Sequence, residues 1–352
     1  MRRFSRSLMH SSSNMRFASG NALSLGGGSC AALMATARAY AWNISMQAKC
    51  GSCPVLSRGF GYSTSVSVLL FGPRGYIGGH LLRQFPDAQV SSADIADCAA
   101  VASALDAAMP DVVINAVGKT GTPNVDWCED HKEETFRSNV LGPLILAQEC
   151  RKRGVYMVQI GSGCIYTGDN GGAGFSEKDA PNFQGSYYSR TKQWVEQMLN
   201  DFAPSHEGRG GILMLRIRMP FELGNNPKNL LSKLPRFSRV IDIPNSLTYI
   251  PDFLTATEKL IELRETGIWN VVNPGPISLY RIMQMYMDIV DRDHVCTPMT
   301  ETEALTLTKA ARSNCALSTA KLASVGISLP TAEQRVAECL QGYASKKNAH
   351  CV

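Results

Sequence analysis

Short apolar runs separated by polar and glycine-rich segments recur along the chain from residue 66 onward. Four of these runs are predominantly apolar, as in strands buried on both faces of a sheet: residues 66–71, 112–116, 156–160 and 212–217. Helical periodicity lies between them, over residues 77–84, 130–153 and 187–202. Strands that alternate with helices are typical of a parallel sheet covered on both faces. We therefore predict an α/β fold with a Rossmann-type, doubly wound parallel sheet.

The alternation loosens after Pro220, and this change suggests a division of the chain. We predict the sheet core over residues 65–220 and a smaller C-terminal substrate lobe over most of 221–345. The chain should return to the core near 248–273, where the apolar run 269–272 resembles a strand, and residues 346–352 should form a tail. Residues 88–108 show no clear division into elements.

The first 64 residues differ in composition from the rest of the chain. They contain seven Lys and Arg residues and no acidic residue, which is typical of an organelle transit peptide. Arg58 precedes an aromatic residue and a Ser/Thr run, an arrangement typical of a mitochondrial processing region. We therefore expect a mitochondrial protein, with a plastid location or an uncleaved tail as alternatives.

Charge and cysteine content exclude several classes of protein. The chain carries 35 Lys and Arg against 30 Asp and Glu, but the N-terminal segment accounts for the whole excess, so the body is near neutral and a nucleic-acid partner is disfavoured. The apolar stretch 30–42 is short and contains Arg38, which argues against a membrane span. The 11 cysteines show no paired metal spacing, so we predict no metal site and reduced thiols.

A glycine-rich turn directly follows the first predicted strand. Its GxxGxxG spacing is formed by Gly72, Gly75 and Gly78. Glycines at such a position permit a tight turn and close approach of the backbone, and the following helix N-terminus receives a pyrophosphate. The turn predicts a dinucleotide site formed by Gly72, Arg74, Gly75, Tyr76, Ile77 and Gly78, with Ala116 at the end of a neighbouring strand.

The second strand should distinguish NAD from NADP. An acidic residue at its end would bind the ribose diol of NAD, but Ser91 and Ser92 occupy that region and the first acid is Asp94. Arg74 in the glycine turn could reach the 2′-phosphate of NADP. NADP(H) is therefore favoured over NAD(H), and Asp94 is predicted to contact the adenine or the ribose.

A tyrosine and a lysine four residues apart form the candidate reductive pair. Tyr188 and Lys192 share one face of the predicted helix, and Ser162 follows a predicted strand at the carboxyl edge of the sheet. A tyrosine is a poor acid–base catalyst near neutrality unless a cation lowers its pKa, and we expect Lys192 to do so. Ser162, Tyr188 and Lys192 together form the Ser–Tyr–Lys set of short-chain dehydrogenases/reductases.

From about residue 67 to 340 the chain resembles the extended short-chain dehydrogenase/reductase family, and within it the plant-type bifunctional nucleotide-rhamnose synthases. The resemblance rests on segments in both lobes: GKTGTPNVDWCEDHK at 118–132, GCI at 163–165, KDAPNFQGS at 178–186, LRIRMP at 215–220, NPKN at 226–229, VIDIPNS at 240–246, GIWNVVNPG at 267–275 and RSN at 312–314. It implies an NADPH-dependent 3,5-epimerase/4-reductase that acts on a nucleotide-linked 4-keto-6-deoxyhexose and makes a rhamnose-type sugar.

The resemblance also implies further site residues. Cys164 and Lys233 occupy the epimerising positions, where they would exchange protons at C3 and C5 of the sugar. Asn229 and Arg312 stand where this fold holds the nucleotide diphosphate. Asn139 stands where the family has an asparagine that is either structural or catalytic.

Several features depart from the family pattern, and the transit peptide leaves an alternative open. The arginine of the glycine turn is shifted by one place, and a transit peptide is unexpected for an enzyme of nucleotide-sugar metabolism. The alternative is a non-catalytic NADP(H)-binding accessory or regulatory subunit of an organelle complex, such as a respiratory complex. The expected partners are a nucleotide-diphosphate sugar and either a second copy of the chain or a larger organelle assembly.

Overall fold

A parallel sheet of six strands lies at the centre of the part of the chain that the computed structural model describes, residues 66–204 and 210–349. The strands of the described ranges are, in chain order, β1 (Val68–Phe71), β2 (Gln89–Ser91), β3 (Val112–Asn115), β4 (Tyr156–Ser162), β5 (Ile212–Ile217), β6 (Pro220–Phe221), β7 (Arg239–Ile241), β8 (Pro244–Tyr249), β9 (Gly267–Asn270), β10 (Asn273–Ser278) and β11 (Thr297–Met299). The order across the main sheet is β2-β1-β3-β4-β5-β9, and all neighbouring strands are parallel. The predicted doubly wound parallel sheet is confirmed.

Helices follow most of these strands. The α-helices of the described ranges are α1 (Tyr76–Gln84), α2 (Cys98–Ala108), α3 (Trp127–Asp130), α4 (Lys132–Phe136), α5 (Gly142–Arg153), α6 (Tyr187–Asn200), α7 (Leu230–Lys233), α8 (Ile250–Glu262), α9 (Leu279–Ile289), α10 (Glu301–Thr306), α11 (Ala320–Ser324) and α12 (Ala332–Ala349). None of them is long and apolar enough to cross a bilayer.

The single helix predicted over 130–153 is divided in the structure. The π-helical segment Arg137–Leu141 separates α4 from α5, and Pro143 stands in the first turn of α5. Proline has no backbone N–H to donate to the preceding turn, so the regular hydrogen-bond ladder is interrupted at this point. The interruption places Arg137 and Asn139 next to the carboxyl edge of the sheet, where both make contacts described below.

Apolar side chains of the central strands point alternately to two cores. One core packs Leu70, Ile114 and Val158 against α1, α8 and α11, while the other packs Leu69, Val113 and Met157 against α2, α5 and α6. Burial on both faces explains why these strands have continuous apolar sequences. In contrast, β2 has three residues, two of which are exposed at the sheet edge, and its sequence carries no such signal.

The segment after β5 builds a second layer with its own core. Strands β10-β8-β6 form one small sheet and β11-β7 another, and α7, α9 and α12 pack around them. The chain returns to the main sheet through α8 and β9. Part of the predicted C-terminal tail is helical, because α12 continues to Ala349. The predicted transit peptide lies outside the described residues.

Candidate active site

The glycine turn is too tight for side chains at two of its three glycines. A Cβ atom at Gly78 would lie 2.0 Å from the carbonyl oxygen of Gly72, and one at Gly72 would lie 2.9 Å from the backbone of Ala116. Gly72 also has a φ of +80°, a conformation that favours glycine. Helix α1 begins directly after Gly75, which provides no side-chain cap, so the first N–H groups of the helix are free for an anion.

This turn lies where the sheet order reverses, since β1 has β2 on one side and β3 on the other. Nucleotides bind in open α/β sheets at such a switch point. The backbone of Gly72 and Ala116, which directly follow β1 and β3, lines this point. The residues predicted from the glycine spacing therefore fit a dinucleotide pyrophosphate.

Two arginines lie near the expected adenosine end of this site. Arg74 is exposed and lines an open cleft together with Arg83 and Lys228. Arg137 donates a hydrogen bond of 2.8 Å to Asp94, and this bond lowers the pKa of the Asp94 carboxyl group. Sequence analysis did not find Arg137, because it is 43 residues from Asp94 and reaches it through the π-helical segment.

Tyr76 and Ile77 contribute to this region in different ways. Ile77 packs against the core of the sheet. The hydroxyl group of Tyr76 is buried without a hydrogen-bond partner among the described residues, and its ring meets His80 edge-on at 5.1 Å. Burial, with the charge of Glu222, raises the pKa of Tyr76. Tyr76 can therefore serve the cofactor through its backbone N–H, whereas its side chain lies against the His80–Glu222 contact.

The candidate reductive residues come from β4 and α6. Ser162 is the last residue of β4, and Tyr188 and Lys192 lie one turn apart on α6. The ammonium nitrogen of Lys192 is 5.9 Å from the centroid of the Tyr188 ring and 3.5 Å from the carbonyl oxygen of Ile160. A Cβ atom at Gly118 would stand 3.5 Å from that nitrogen, so glycine leaves space beside it. The structure brings these three predicted residues together at the carboxyl edge of the sheet.

Burial controls the protonation of this pair. It raises the pKa of Tyr188 far above its ordinary value, although hydrogen bonding to Ser162 and the charge of Arg218 oppose the rise. Burial also lowers the pKa of Lys192. Desolvation therefore dominates: it raises the pKa of Tyr188 and also disfavours the Lys192 cation that was expected to lower it. Tyr188 keeps its proton near neutrality, as a proton donor must.

Cys164 lies beside the reductive pair. It follows β4 in the short turn Gly163–Ile165, and its N–H donates to the Ser162 hydroxyl at 3.3 Å. The thiol is buried in a cluster that includes Tyr188. Burial raises the pKa of Cys164, and this rise is opposed, in decreasing order, by Ser162, Arg218, Ser189 and Lys192. The thiol is thus in electrostatic contact with the reductive residues.

Lys233, the second predicted epimerising residue, belongs to the smaller lobe. It ends α7 and is half-buried. Burial, with the neighbouring charges of Lys228 and Arg236, lowers its pKa, which is the direction a lysine base requires. Among the described residues no hydrogen bond or ion pair joins Lys233 to Ser162, Cys164, Tyr188 or Lys192. Its role opposite Cys164 stays a prediction.

The side chains of Asn229 and Asn139 both form hydrogen bonds that stabilise the local backbone. The Asn229 amide group donates to the backbone oxygens of Glu222 and Gly224, at 2.9 and 2.7 Å, and its oxygen accepts from Leu231. No donor of Asn229 is left for a phosphate, so its contacts favour a structural role over the predicted substrate contact. Asn139 likewise exchanges two hydrogen bonds with the backbone of Lys119 and donates to Thr191. It holds this loop against α6.

Arg312 is half-buried and paired. Its Nη1 donates to Asp126 at 2.8 Å and to the carbonyl oxygen of Ala310 at 2.9 Å. A diphosphate at Arg312 would therefore share the guanidinium with Asp126. The predicted substrate contact is compatible with this geometry but is not tested by it.

Sequence analysis missed two arginines at the end of β5. Arg216 is buried and forms two hydrogen bonds with the Glu196 carboxylate on α6, at 2.7 and 2.8 Å. Arg218 is also buried but has no carboxylate partner among the described residues. The signal was present in the sequence, because a charged residue in a buried strand must be paired or have a function.

Comparison with known proteins identifies the protein family. The model of the RmlD substrate binding domain family matches residues 66–345. The chain therefore belongs to this family, a group of extended short-chain dehydrogenase/reductase enzymes, as the sequence resemblance predicted.

One relative and two solved structures show which enzymes of this family the chain is similar to. The chain is 38% identical over 271 residues to a bifunctional dTDP-4-dehydrorhamnose 3,5-epimerase/dTDP-4-dehydrorhamnose reductase of Arabidopsis thaliana, which covers 74% of this chain and 87% of the relative. It is 30% identical to the crystal structure of the L780 UDP-rhamnose synthase of Acanthamoeba polyphaga mimivirus, with a TM-score of 0.74 over 79% of this chain and 99% of that one. The dTDP-4-dehydrorhamnose reductase of Bacillus anthracis, solved with NADP, shares the fold at 18% identity and a TM-score of 0.65, covering 80% of this chain and 98% of that one.

Proposed function

We propose that this protein is an NADP(H)-dependent 3,5-epimerase/4-reductase that converts a nucleotide-linked 4-keto-6-deoxyglucose into a nucleotide-rhamnose. The observation that carries the proposal is the position of Cys164. A thiol two residues from Ser162, in one buried cluster with Tyr188, gives the site a second acid–base group beside a complete reductive set. Reduction of a ketone alone requires no acid–base group beyond the proton donor.

The epimerisation uses the acidity of the sugar itself. The C4 ketone makes the protons at C3 and C5 removable, since the electron pair of the broken C–H bond moves onto the C4 oxygen as an enolate. Cys164 and Lys233 are the two groups assigned to take a proton and to return one. Both have to change charge during the reaction. Burial and neighbouring cations lower the pKa of Lys233, and the rise that burial causes in the pKa of Cys164 is opposed by Ser162 and Arg218.

The reduction uses Ser162, Tyr188 and Lys192. The nicotinamide cofactor supplies the hydride to C4 when it is bound. Tyr188 delivers a proton to the C4 oxygen, and its raised pKa keeps that proton available. The Ser162 hydroxyl orients the same oxygen, and Lys192, held at the Ile160 carbonyl, is placed to contact the nicotinamide ribose.

The arginines around the glycine turn support NADP(H) as the preferred cofactor. Arg74 is exposed at the turn, and Asp94 is neutralised by Arg137, so the carboxylate repels a 2′-phosphate less strongly than a free acid would. Arg74→Glu should raise the KM for NADPH and change the KM for NADH little. Equal effects on both cofactors would contradict the preference.

Turnover of two nucleotide sugars, together with a cysteine variant, tests the proposed activity. We expect turnover with UDP- or dTDP-4-keto-6-deoxyglucose, with NADPH loss at 340 nm and a rhamnose-type product identified by NMR. Cys164→Ala should abolish turnover of these substrates but retain reduction of the pre-epimerised 4-keto-rhamnose nucleotide. Cys296→Ala is the matched control, since Cys296 is buried in the core of the smaller lobe. Retained turnover in Cys164→Ala would refute the assignment of the thiol.

Import into mitochondria is proposed from residues 1–64 alone. A fusion of these residues to a fluorescent protein should enter mitochondria, and the Arg58→Ala variant should alter processing of the fusion. Accumulation in plastids or in the cytosol would contradict this part of the proposal.

A further inference from the structure

Arg218 is a buried cation in the active site that the proposed chemistry has not yet used. Arg218 is 8% exposed, and among the described residues no carboxylate forms an ion pair with it. The Nε atom is buried and has no hydrogen-bond partner in the described part of the chain. Burying an uncompensated charge lowers the free energy of unfolding. A fold that retains such a charge is therefore expected to use it in its function.

Strand register places Arg218 beside the reacting groups. Ile217 of β5 pairs with Ser162 of β4, and Arg218 is the next residue, level with the turn that carries Cys164. The guanidinium influences both the Cys164 thiol and the Tyr188 hydroxyl electrostatically. Arg216, two residues earlier, is paired with Glu196, whereas Arg218 has no carboxylate partner among the described residues.

The surrounding structure holds Arg218 in a fixed position. Its Nη2 donates to the side-chain oxygen of Asn245 at 2.8 Å and to the backbone oxygen of Ser313, and both acceptors are neutral. The next residue, Met219, has a φ of +40°, a left-handed conformation that costs energy for a residue with a side chain. These two neutral acceptors hold the guanidinium in position without neutralising its charge.

We propose that Arg218 stabilises the negative charge that appears in this site during epimerisation, first on the Cys164 thiolate and then on the C4 oxygen of the sugar enolate. The inference rests on the proposed function and deepens it. When a base removes the C3 or C5 proton, the C–H electron pair moves to the C4 oxygen, and no net charge is lost from the site. A fixed cation that cannot give up its proton holds this charge better than Lys192, whose ammonium form is disfavoured by burial.

The groups that face the Cys164 thiol allow the effect to be isolated. Ser162 directly precedes the same turn, Ser189, Lys192 and Tyr188 belong to α6, and Arg218 follows β5; each interacts with the thiol electrostatically or by a hydrogen bond. Of these, only Arg218 and Lys192 can carry a positive charge. Removing the charge of Arg218 should therefore make the thiolate harder to form.

The test compares Arg218→Gln, Arg218→Lys and the control Arg281→Gln, an exposed arginine of the smaller lobe. In D₂O, Arg218→Gln should slow deuterium entry at sugar C3 and C5 by about tenfold or more, the equivalent of one pKa unit or 1.36 kcal/mol. Reduction of the pre-epimerised 4-keto-rhamnose nucleotide should fall by a smaller factor. Arg218→Lys should recover part of the exchange, because it restores the charge. Equal losses in both half-reactions, with no recovery by lysine, would assign Arg218 a purely structural role and overturn the proposal.

A substrate-free measurement separates failure of this inference from failure of the proposed function. The thiolate absorbance at 240 nm, taken as the difference between wild type and Cys164→Ser across pH, reports the pKa of Cys164. This pKa should rise in Arg218→Gln and stay near the wild-type value in Arg218→Lys. An unchanged pKa in Arg218→Gln would overturn the inference even if the enzyme is an epimerase. A raised pKa in a protein without deuterium exchange would uphold the electrostatic contact and refute the function.

Discussion

Glu196 of α6 and Arg216 of β5 form a bidentate ion pair with N–O distances of 2.7 and 2.8 Å, and both side chains are almost fully buried. Glu196 stands one helical turn after Lys192. The pair therefore fastens the helix that carries the reductive residues to the strand that ends next to Arg218.

Breaking this ion pair should be costly. In Glu196→Gln the guanidinium of Arg216 keeps its charge but loses its buried counterion, and we expect about 3–5 kcal/mol less free energy of unfolding. Glu333→Gln removes a carboxylate from the half-exposed pair with Arg281 and should cost less than about 1 kcal/mol. Urea denaturation of both variants is the measurement. Similar losses in the two would show that burial does not govern the strength of these pairs.

The glycine turn offers a matched pair of substitutions. In Gly78→Ala the new methyl group would stand 2.0 Å from the Gly72 carbonyl oxygen, so the turn must open. We expect a loss of about 1–3 kcal/mol in stability and a rise of about tenfold or more in the Kd for NADPH.

Gly79→Ala is the control for this substitution, because its methyl group would meet the nearest backbone atom at 3.4 Å. Both stability and NADPH affinity should stay near the wild-type values, as shown by thermal unfolding and fluorescence titration. A similar loss of affinity in Gly79→Ala would mean that the close approach at Gly78 is not what the cofactor site requires.

Two adjacent tyrosines test the reductive assignment. Tyr188→Phe should slow reduction of the 4-keto-rhamnose nucleotide by about 10²–10⁴-fold, because the C4 oxygen loses its proton donor, while deuterium exchange at C3 and C5 continues. Tyr187→Phe should have little effect, since that ring packs against Trp194 on another face of α6. Steady-state rates of NADPH oxidation at 340 nm compare the two variants with the wild type. Reduction that survives in Tyr188→Phe would remove this residue from the mechanism.

His80 gives the folded protein a dependence on pH. Its Nδ1 accepts from Arg83 at 2.8 Å, so the ring proton lies on Nε2 and is donated to Glu222 at 3.0 Å. Burial lowers the pKa of His80 below its ordinary value of 6.5. Below pH 6.5 the unfolded chain binds this proton more readily than the folded one, so the free energy of unfolding falls on acidification.

Replacing His80 should therefore flatten the acid side of the stability profile. We expect His80→Gln to show a smaller loss of stability between pH 7 and pH 5 than the wild type, measured by urea denaturation across that range. Parallel profiles for the two proteins would contradict the neutral, buried state of this imidazole.

The sheet and much of the site could be predicted from local sequence. Strands β1, β3, β4 and β5 are buried on both faces, and their apolar runs reveal them. The glycine turn and the Tyr188–Lys192 spacing are likewise local patterns, and the structure places them at one edge. Strand β2 left no comparable signal, since an exposed edge strand depends on neighbours distant in sequence. The division of the helix before α5 did leave a local signal, Pro143, which the helical periodicity of 130–153 obscured.

The electrostatics of the site could not be predicted in the same way. The net shift in the pKa of Tyr188 could not be predicted, because spacing along a helix says nothing about how deeply Tyr188 and Lys192 are buried. Asn229 was predicted from its place in a motif, whereas its partners Glu222, Gly224 and Tyr343 appear only in the folded chain. Arg218 is visible in the sequence, but its lack of a counterion is a property of the fold.

Solvent labelling tests the central claim most directly. The protein, starting near residue 65, would be incubated in D₂O with NADPH and the 4-keto-6-deoxyglucose nucleotide, and the product would be examined by mass spectrometry and NMR. Our account predicts one NADPH consumed per product, with deuterium at C3 and C5 and protium delivered to C4. Tight binding of NADPH with neither oxidation of NADPH nor entry of deuterium would contradict the proposal that this protein is an epimerase/reductase.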